Sequence, residues 1–149
     1  MNSFKTFFLI LYLATLVYTV FFLQRREFIT WDKNIVQPVP FKNTINSYIL
    51  LKEGHTTKAL LVFFLSNIIG NILLLLPLPL FILALTQTTN YKAVFITGVS
   101  TSVLIETIQY LFRIGIPDID DLILNTTGVA IGIALWKTIF HNRVKPTSS

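Results

Sequence analysis

Cysteine is absent from the 149 residues, which excludes disulfides, thiolate nucleophiles and cysteine-built metal sites. Charge is scarce. Asp, Glu, Lys and Arg make up 13% of the chain against 53% hydrophobic residues, whereas a soluble domain carries roughly a quarter charged residues. Also missing are G-x-S-x-G, H-E-x-x-H and P-loop patterns, so three common hydrolytic and phosphate-binding chemistries lack their carriers. Ser66, Ser100 and Ser102 have no histidine placed to act as base, and His55 and His141 are too far apart in the topology to share a metal. No internal repeat or low-complexity tract interrupts the chain. The net charge of +5 comes from residues scattered beside apolar segments, without an aromatic-interleaved basic stripe. Such flanking cations belong to membrane spans, and nucleic acid is not an expected partner.

What is present is a mean hydropathy of +0.68 gathered into four runs: Phe7 to Leu23, Ala59 to Leu85, Ala93 to Phe112 and Leu122 to Phe140. Each is near the roughly 20 residues that cross a bilayer's hydrocarbon core. The expected fold is a single all-α membrane domain over 1–149 with about four spans. The first run lacks a small-residue cleavage site after it, so it reads as an uncleaved span. The second is long enough to tilt or kink at Pro77 and Pro79. A polar stretch separates the first two runs, and "FKNTINSYILL" within it reads as a short interfacial helix, with Trp31, Phe41 and Tyr48 suited to that depth.

In this topology the long first loop and the third connection, "RIGIPD", share one side. The polar residues of three spans converge there: Asn67 and Asn71 on the second; Glu106, Gln109 and Arg113 on the third; Asp118, Asp120, Asp121 and Asn125 at the head of the fourth. The faces agree with the sides. At about 100° per residue, Gly98, Ser102, Glu106, Gln109 and Arg113 fall within about 80°, and Asp121, Asn125, Gly128 and Gly132 within about 60°. Gly128 and Gly132 form a G-x-x-x-G step for close helix approach.

Each motif also has a structural explanation. Asp118 is a good N-cap after Pro117, and acidic residues in a first turn suit the helix dipole. Asn67 and Asn71, one turn apart, read as interhelical hydrogen-bonding residues. Glu106 is harder to explain, because a carboxylate about two turns inside a span costs roughly 2.5–3.5 kcal/mol unless paired, protonated or wet. Arg113 lies about 10.5 Å further along the axis, so a bridge through Gln109, another helix or water is expected. The surplus carboxylates leave room for a cation, an arginine or a polar ligand. A divalent-cation-dependent enzyme acting on a lipid-linked phosphate is one alternative, and a structural membrane scaffold another, although "DIDD" lacks the spacing of prenyl-diphosphate aspartate motifs. No cofactor or metal is assigned, and the sequence names no oligomeric state.

The segments "NIIGNILLLLPLPL" and "IETIQYLFRIGIPDIDDLILNTTGVAIG" resemble the VanZ-like family of small bacterial membrane proteins. The later block is close to that family's I-E-x-x-Q, R, D-I-D-D-x-x-x-N-x-x-G-x-x-x-G pattern, and "PVPFKNTI" looks like its N-x-x-P-F element. The resemblance covers residues 34–135. Where the family commonly has Pro-Leu-Gly, this chain has Pro77-Leu78-Pro79, which predicts a second kink in that span. The resemblance implies a multi-pass protein of the bacterial cell membrane, associated with teicoplanin resistance without ligase chemistry. The implied partners are membrane lipids and a lipid-linked cell-wall precursor or lipoglycopeptide. It also implies an inside N-terminus and an outward polar cluster. The basic count is nearly balanced, with seven Lys/Arg on the long-loop side and five on the other.

Overall fold

The computed structural model describes residues 3–23, 40–52, 58–112 and 118–140. These residues form α1 (Ser3–Tyr18), which runs into a wider π-helical turn over Thr19–Leu23, then α2 (Lys42–Lys52), α3 (Lys58–Leu75), α4 (Pro77–Thr86), α5 (Tyr91–Leu111) and α6 (Ile119–Phe140), with no strand among them. Among the described residues, four stretches are long and apolar enough to cross a membrane: Ser3–Phe21, Phe64–Thr86, Tyr91–Leu111 and Ile119–Ile139. The four-span helical fold expected from sequence is the one observed, with ends displaced by a few residues. The short helix read from "FKNTINSYILL" is present as α2. Trp31, His55, Arg113 and His141 lie outside the described residues.

The second span is two helices meeting at Leu76. Pro77 and Pro79 both fall in the first turn of α4, where backbone N–H groups have no intrahelical partner and a proline forfeits little. The second kink predicted at Pro79 does not occur. One break accommodates both prolines, because the second sits within the first turn that the first proline starts. The carbonyls at the end of α3 lose their continuation there. The Tyr12 hydroxyl donates to one of them, Leu74 O, at 2.9 Å. The Tyr12 ring stacks on Phe81 at 5.4 Å, so α1 straps both halves of the broken span.

At the far end α4 stops at Gln87, in the left-handed region (φ 52°), with its N–H bonded to Leu83 O. Asn90 then caps α5 by accepting from the Ala93 N–H at 3.1 Å, which makes a tight connection between the spans.

α6 is the hub: α3, α4 and α5 all pack against it. Its glycines make this possible. A Cβ on Gly128 would collide with the Ile72 carbonyl oxygen, and one on Gly132 with the Leu76 carbonyl oxygen and Pro79 Cγ. Across the other seam, a Cβ on Gly98 of α5 would meet the Val129 side chain. The G-x-x-x-G step therefore serves packing within the chain, against the broken span. Beneath these contacts the core is Val20, Leu75, Leu83, Val94, Ile105, Val129 and Ile133.

The outer surface is apolar, as lipid-facing helices require: Phe7 is 62% exposed, Val62 64% and Leu104 57%. Threonines on these helices bond their hydroxyls to the preceding turn, for example Thr97 to Ala93 O, Thr107 to Val103 O and Thr127 to Ile123 O. A hydroxyl satisfied within its own helix needs no water, so such residues sit in an apolar span at little cost.

A buried polar cluster at one end of the bundle

The three aspartates of "DIDD" fall at the start of α6 and take three separate partners. Asp118 Oδ1 accepts the Asp120 backbone N–H at 2.9 Å, which is the N-cap bond expected of a residue placed just before a helix. Asp120 is 1% exposed and reaches a different helix. Its two oxygens accept the Phe41 backbone N–H and, at 2.9 Å, the Thr44 hydroxyl. Phe41 is the N-cap of α2, since its carbonyl accepts the Ile45 N–H at 2.7 Å. Asp120 thus plays across the bundle the part that the glutamate of a capping box plays within one helix. Asp121 accepts a hydrogen bond from the Asn71 amide on α3, and the same amide nitrogen bonds Asn67 Oδ1 at 3.1 Å. Asn71 therefore joins α3 to α6, while the Asn67 bond stays within α3 and steadies the Asn71 amide.

Glu106 on α5 faces this group from the other side. The backbone N–H of Asp118 donates to its carboxyl, and Asp121 and Asp118 both lie within electrostatic reach. Gln109, one turn on, is 2% exposed. The α5 face expected from sequence is the face that packs inward: Gly98, Ser102 and Gln109 are buried, alongside Val94 and Ile105. On α6 the same holds for Asn125, Gly128 and Gly132. Arg113, the cationic member of the sequence-derived cluster, lies outside the described residues.

Three oxygens in this region stand out. Ser102 Oγ, Glu106 Oε2 and Asn125 Oδ1 are buried and have no hydrogen-bond partner among the described residues. Ser102 is 0% exposed and Asn125 1%. A buried polar group left unsatisfied costs about 1–3 kcal/mol, and more when charged. These three lie on one seam. Gly98 of α5 meets Val129 of α6, and Glu106 of α5 meets Asp118 at the start of α6. Ser102 lies midway between the first pair and the second along α5, and Asn125 lies one turn from Val129 in the same direction along α6. Among the described residues, no three His, Cys, Asp or Glu side chains converge to hold a metal ion.

Sequence reasoning missed two partners of the cluster. Thr44 and the Phe41 backbone lie in "PVPFKNTI", which carried the weaker half of the family resemblance. The signal was the segment itself, but its link to Asp120 spans 79 residues. Tyr12 had no sequence signal, because a tyrosine in an apolar run is unremarkable until the carbonyl it caps is known.

The family model described as VanZ/LLP1 matches residues 8–141, nearly the whole chain. The chain belongs to the VanZ/LLP1 family. No curated protein and no solved structure matches it. The sequence blocks that resemble VanZ-like proteins are the ones that build the cluster. Phe41 supplies the N–H held by Asp120. Glu106 and Gln109 supply the α5 face, and Asp118 to Gly132 supply the caps, Asn125 and the close-packing glycines. Pro79, which stands where the VanZ-like pattern has glycine, is buried against Gly132. The close approach is kept, with the glycine supplied by α6.

Proposed function

We propose that this chain is a multi-pass protein of the bacterial cell membrane that lowers susceptibility to teicoplanin-type glycopeptides, with the polar cluster of Asn67, Asn71, Glu106, Gln109, Arg113, Asp118, Asp120, Asp121 and Asn125 as its working part. Membership of the VanZ/LLP1 family supports the reading. The single structural observation that favours it is the gathering of polar groups from α2, α3, α5 and α6 at one end of the bundle, where Asp120 holds Phe41 and Thr44, Asp121 holds Asn71, and Glu106 lies beside Asp118. Helix capping alone does not require so many carboxylates beside a membrane, where each carries a desolvation cost.

The cluster faces outward in this proposal, with the N-terminus inside, where it meets lipid headgroups, lipid-linked cell-wall precursor and drug. Single cysteines at Lys52 and Thr88, probed on intact cells with an impermeant thiol reagent, check the orientation. Labelling at Lys52 is expected, and labelling at Thr88 alone overturns it.

Teicoplanin and vancomycin share a peptide-binding cup, but teicoplanin also carries an acyl tail. A tail of roughly ten carbons contributes several kcal/mol of membrane anchoring at about 0.8 kcal/mol per buried CH₂. A membrane-confined protein can weaken that anchoring without altering precursor chemistry, and vancomycin offers no such handle. Expression in a sensitive Gram-positive host should therefore raise the inhibitory concentration of teicoplanin more than that of vancomycin. Asp121→Asn with Glu106→Gln should abolish the difference while the protein stays in the membrane. Equal shifts for both drugs, or none at confirmed expression, remove the resistance reading.

A purely structural cluster is the competing reading, and the capping bonds made by Asp118 and Asp120 favour it. Normal resistance in the double variant at wild-type protein level would establish it.

A further inference from the structure

We propose that Ser102, Glu106 and Asn125 form a binding site for a single monovalent cation, sodium or potassium, in the seam between α5 and α6. The donors are a hydroxyl, a carboxylate oxygen and an amide oxygen, all buried and all without a partner among the described residues. Hard cations take oxygen ligands of this kind. Ionisable groups placed inside a span face the bundle interior and mark ion sites more often than lipid-facing positions.

The alternatives fit less well. A lipid headgroup or a drug cannot reach side chains that are 0% and 1% exposed, as Ser102 and Asn125 are. A divalent ion calls for more carboxylate than the seam offers. Both oxygens of Asp120 are taken by Phe41 and Thr44, Asp121 Oδ1 by Asn71, and Asp118 Oδ1 by the Asp120 N–H. Among the described residues, Glu106 supplies the one buried carboxylate oxygen left without a partner, beside two neutral oxygens. A buried water would meet the hydrogen-bonding needs of all three groups. It would offer no counter-charge to an ionised Glu106, with Asp121 and Asp118 within electrostatic reach. A monovalent cation satisfies the same oxygens and is the counter-charge that lets Glu106 ionise there.

The site stands on this geometry and not on the resistance role, so the two are tested separately. The experiment is thermal unfolding of the full chain, purified in detergent micelles, in sodium, potassium or choline chloride at equal ionic strength. Matched magnesium and calcium series are run beside them. A ligand that binds only the folded state raises the midpoint, and at about 100 times its dissociation constant the rise should be roughly 5–10 °C for a chain of this size. The expected result is such a rise in sodium or potassium over choline, and the arm with the larger rise identifies the ion. Glu106→Gln should lose the rise. Ser102→Ala, which removes one buried atom from a helix and favours folding locally, should shift the titration to higher concentration, and it decides the matter if Glu106→Gln does not fold. Equal midpoints in sodium, potassium and choline would show that the seam holds only water and overturn the proposal. A response confined to magnesium or calcium would overturn it too, as would a sodium or potassium effect undiminished in both variants.

Discussion

Gly128→Ala should be the most damaging single-methyl change in the protein, with loss of about 3 kcal/mol or more of stability and a marked fall in the amount recovered from membranes. The added Cβ has nowhere to go. It would lie against the Ile72 carbonyl oxygen, with the Ile72 carbonyl carbon and Cα behind it, all closer than ordinary van der Waals contact. A flexible side chain could rotate away, but a backbone carbonyl inside a helix moves only with its helix. α3 and α6 would have to separate along the seam that also carries Gly132 against Leu76 and the Asn71–Asp121 bond. Against this, alanine gains about 1 kcal/mol of intrinsic helix preference over glycine, which is too little to compensate.

Gly70 supplies the control, because a Cβ there meets nothing within 4 Å. Gly70→Ala should be neutral or stabilising by up to about 1 kcal/mol. Detergent-denaturant unfolding of the two variants beside the parent checks the pair. Equal stability of Gly128→Ala and Gly70→Ala would mean that the close approach of α3 and α6 is not as described.

Asp120→Ala should release α2 from the bundle. The carboxylate is buried, and it holds the N–H of the α2 cap and the Thr44 hydroxyl together. Hydrogen bonds to a charged group contribute roughly 1.5–3 kcal/mol each, and the donors left behind would be unsatisfied. The cap itself is poised to let go, because Phe41 sits at φ 61°. That conformation costs a residue with a side chain about 1–2 kcal/mol and persists only where its surroundings hold it. Asp120→Ala should therefore accelerate amide exchange across Lys42–Lys52 by orders of magnitude while α3 to α6 stay protected. Asp120→Asn keeps one acceptor oxygen and should fall between. Exchange in α2 unchanged by Asp120→Ala would refute the cap. Uniform acceleration over all helices would show that α2 and the bundle unfold as one unit.

The same residues separate what was legible in the sequence from what was not. Hydropathy and length determined the four spans, because hydrocarbon demands about 20 apolar residues and internally satisfied backbone from any crossing segment. Helical periodicity determined which faces turn inward. Gly98, Ser102 and Gln109 on α5, and Asn125, Gly128 and Gly132 on α6, could be placed from spacing alone, since polar and small residues in a span have nowhere favourable to sit except against other helices. The Asp118 cap was equally local, a matter of one residue and the turn that follows it.

What only the tertiary structure decided is the division of labour among like residues. Asp118, Asp120 and Asp121 are chemically near-identical and almost adjacent, yet one caps its own helix, one caps α2 and one binds Asn71. Successive positions on a helix point about 100° apart, so each carboxylate meets whatever element occupies its direction, and no local pattern records which element that is. The role of Pro79 was decided in the same way. From sequence it is a second helix breaker; in the fold it shares a first turn with Pro77 and packs on a glycine more than fifty residues away. The unmet oxygens of Ser102, Glu106 and Asn125 are the furthest from sequence. Whether a polar atom is satisfied depends on every neighbour that could reach it, and those neighbours are chosen only when the helices pack.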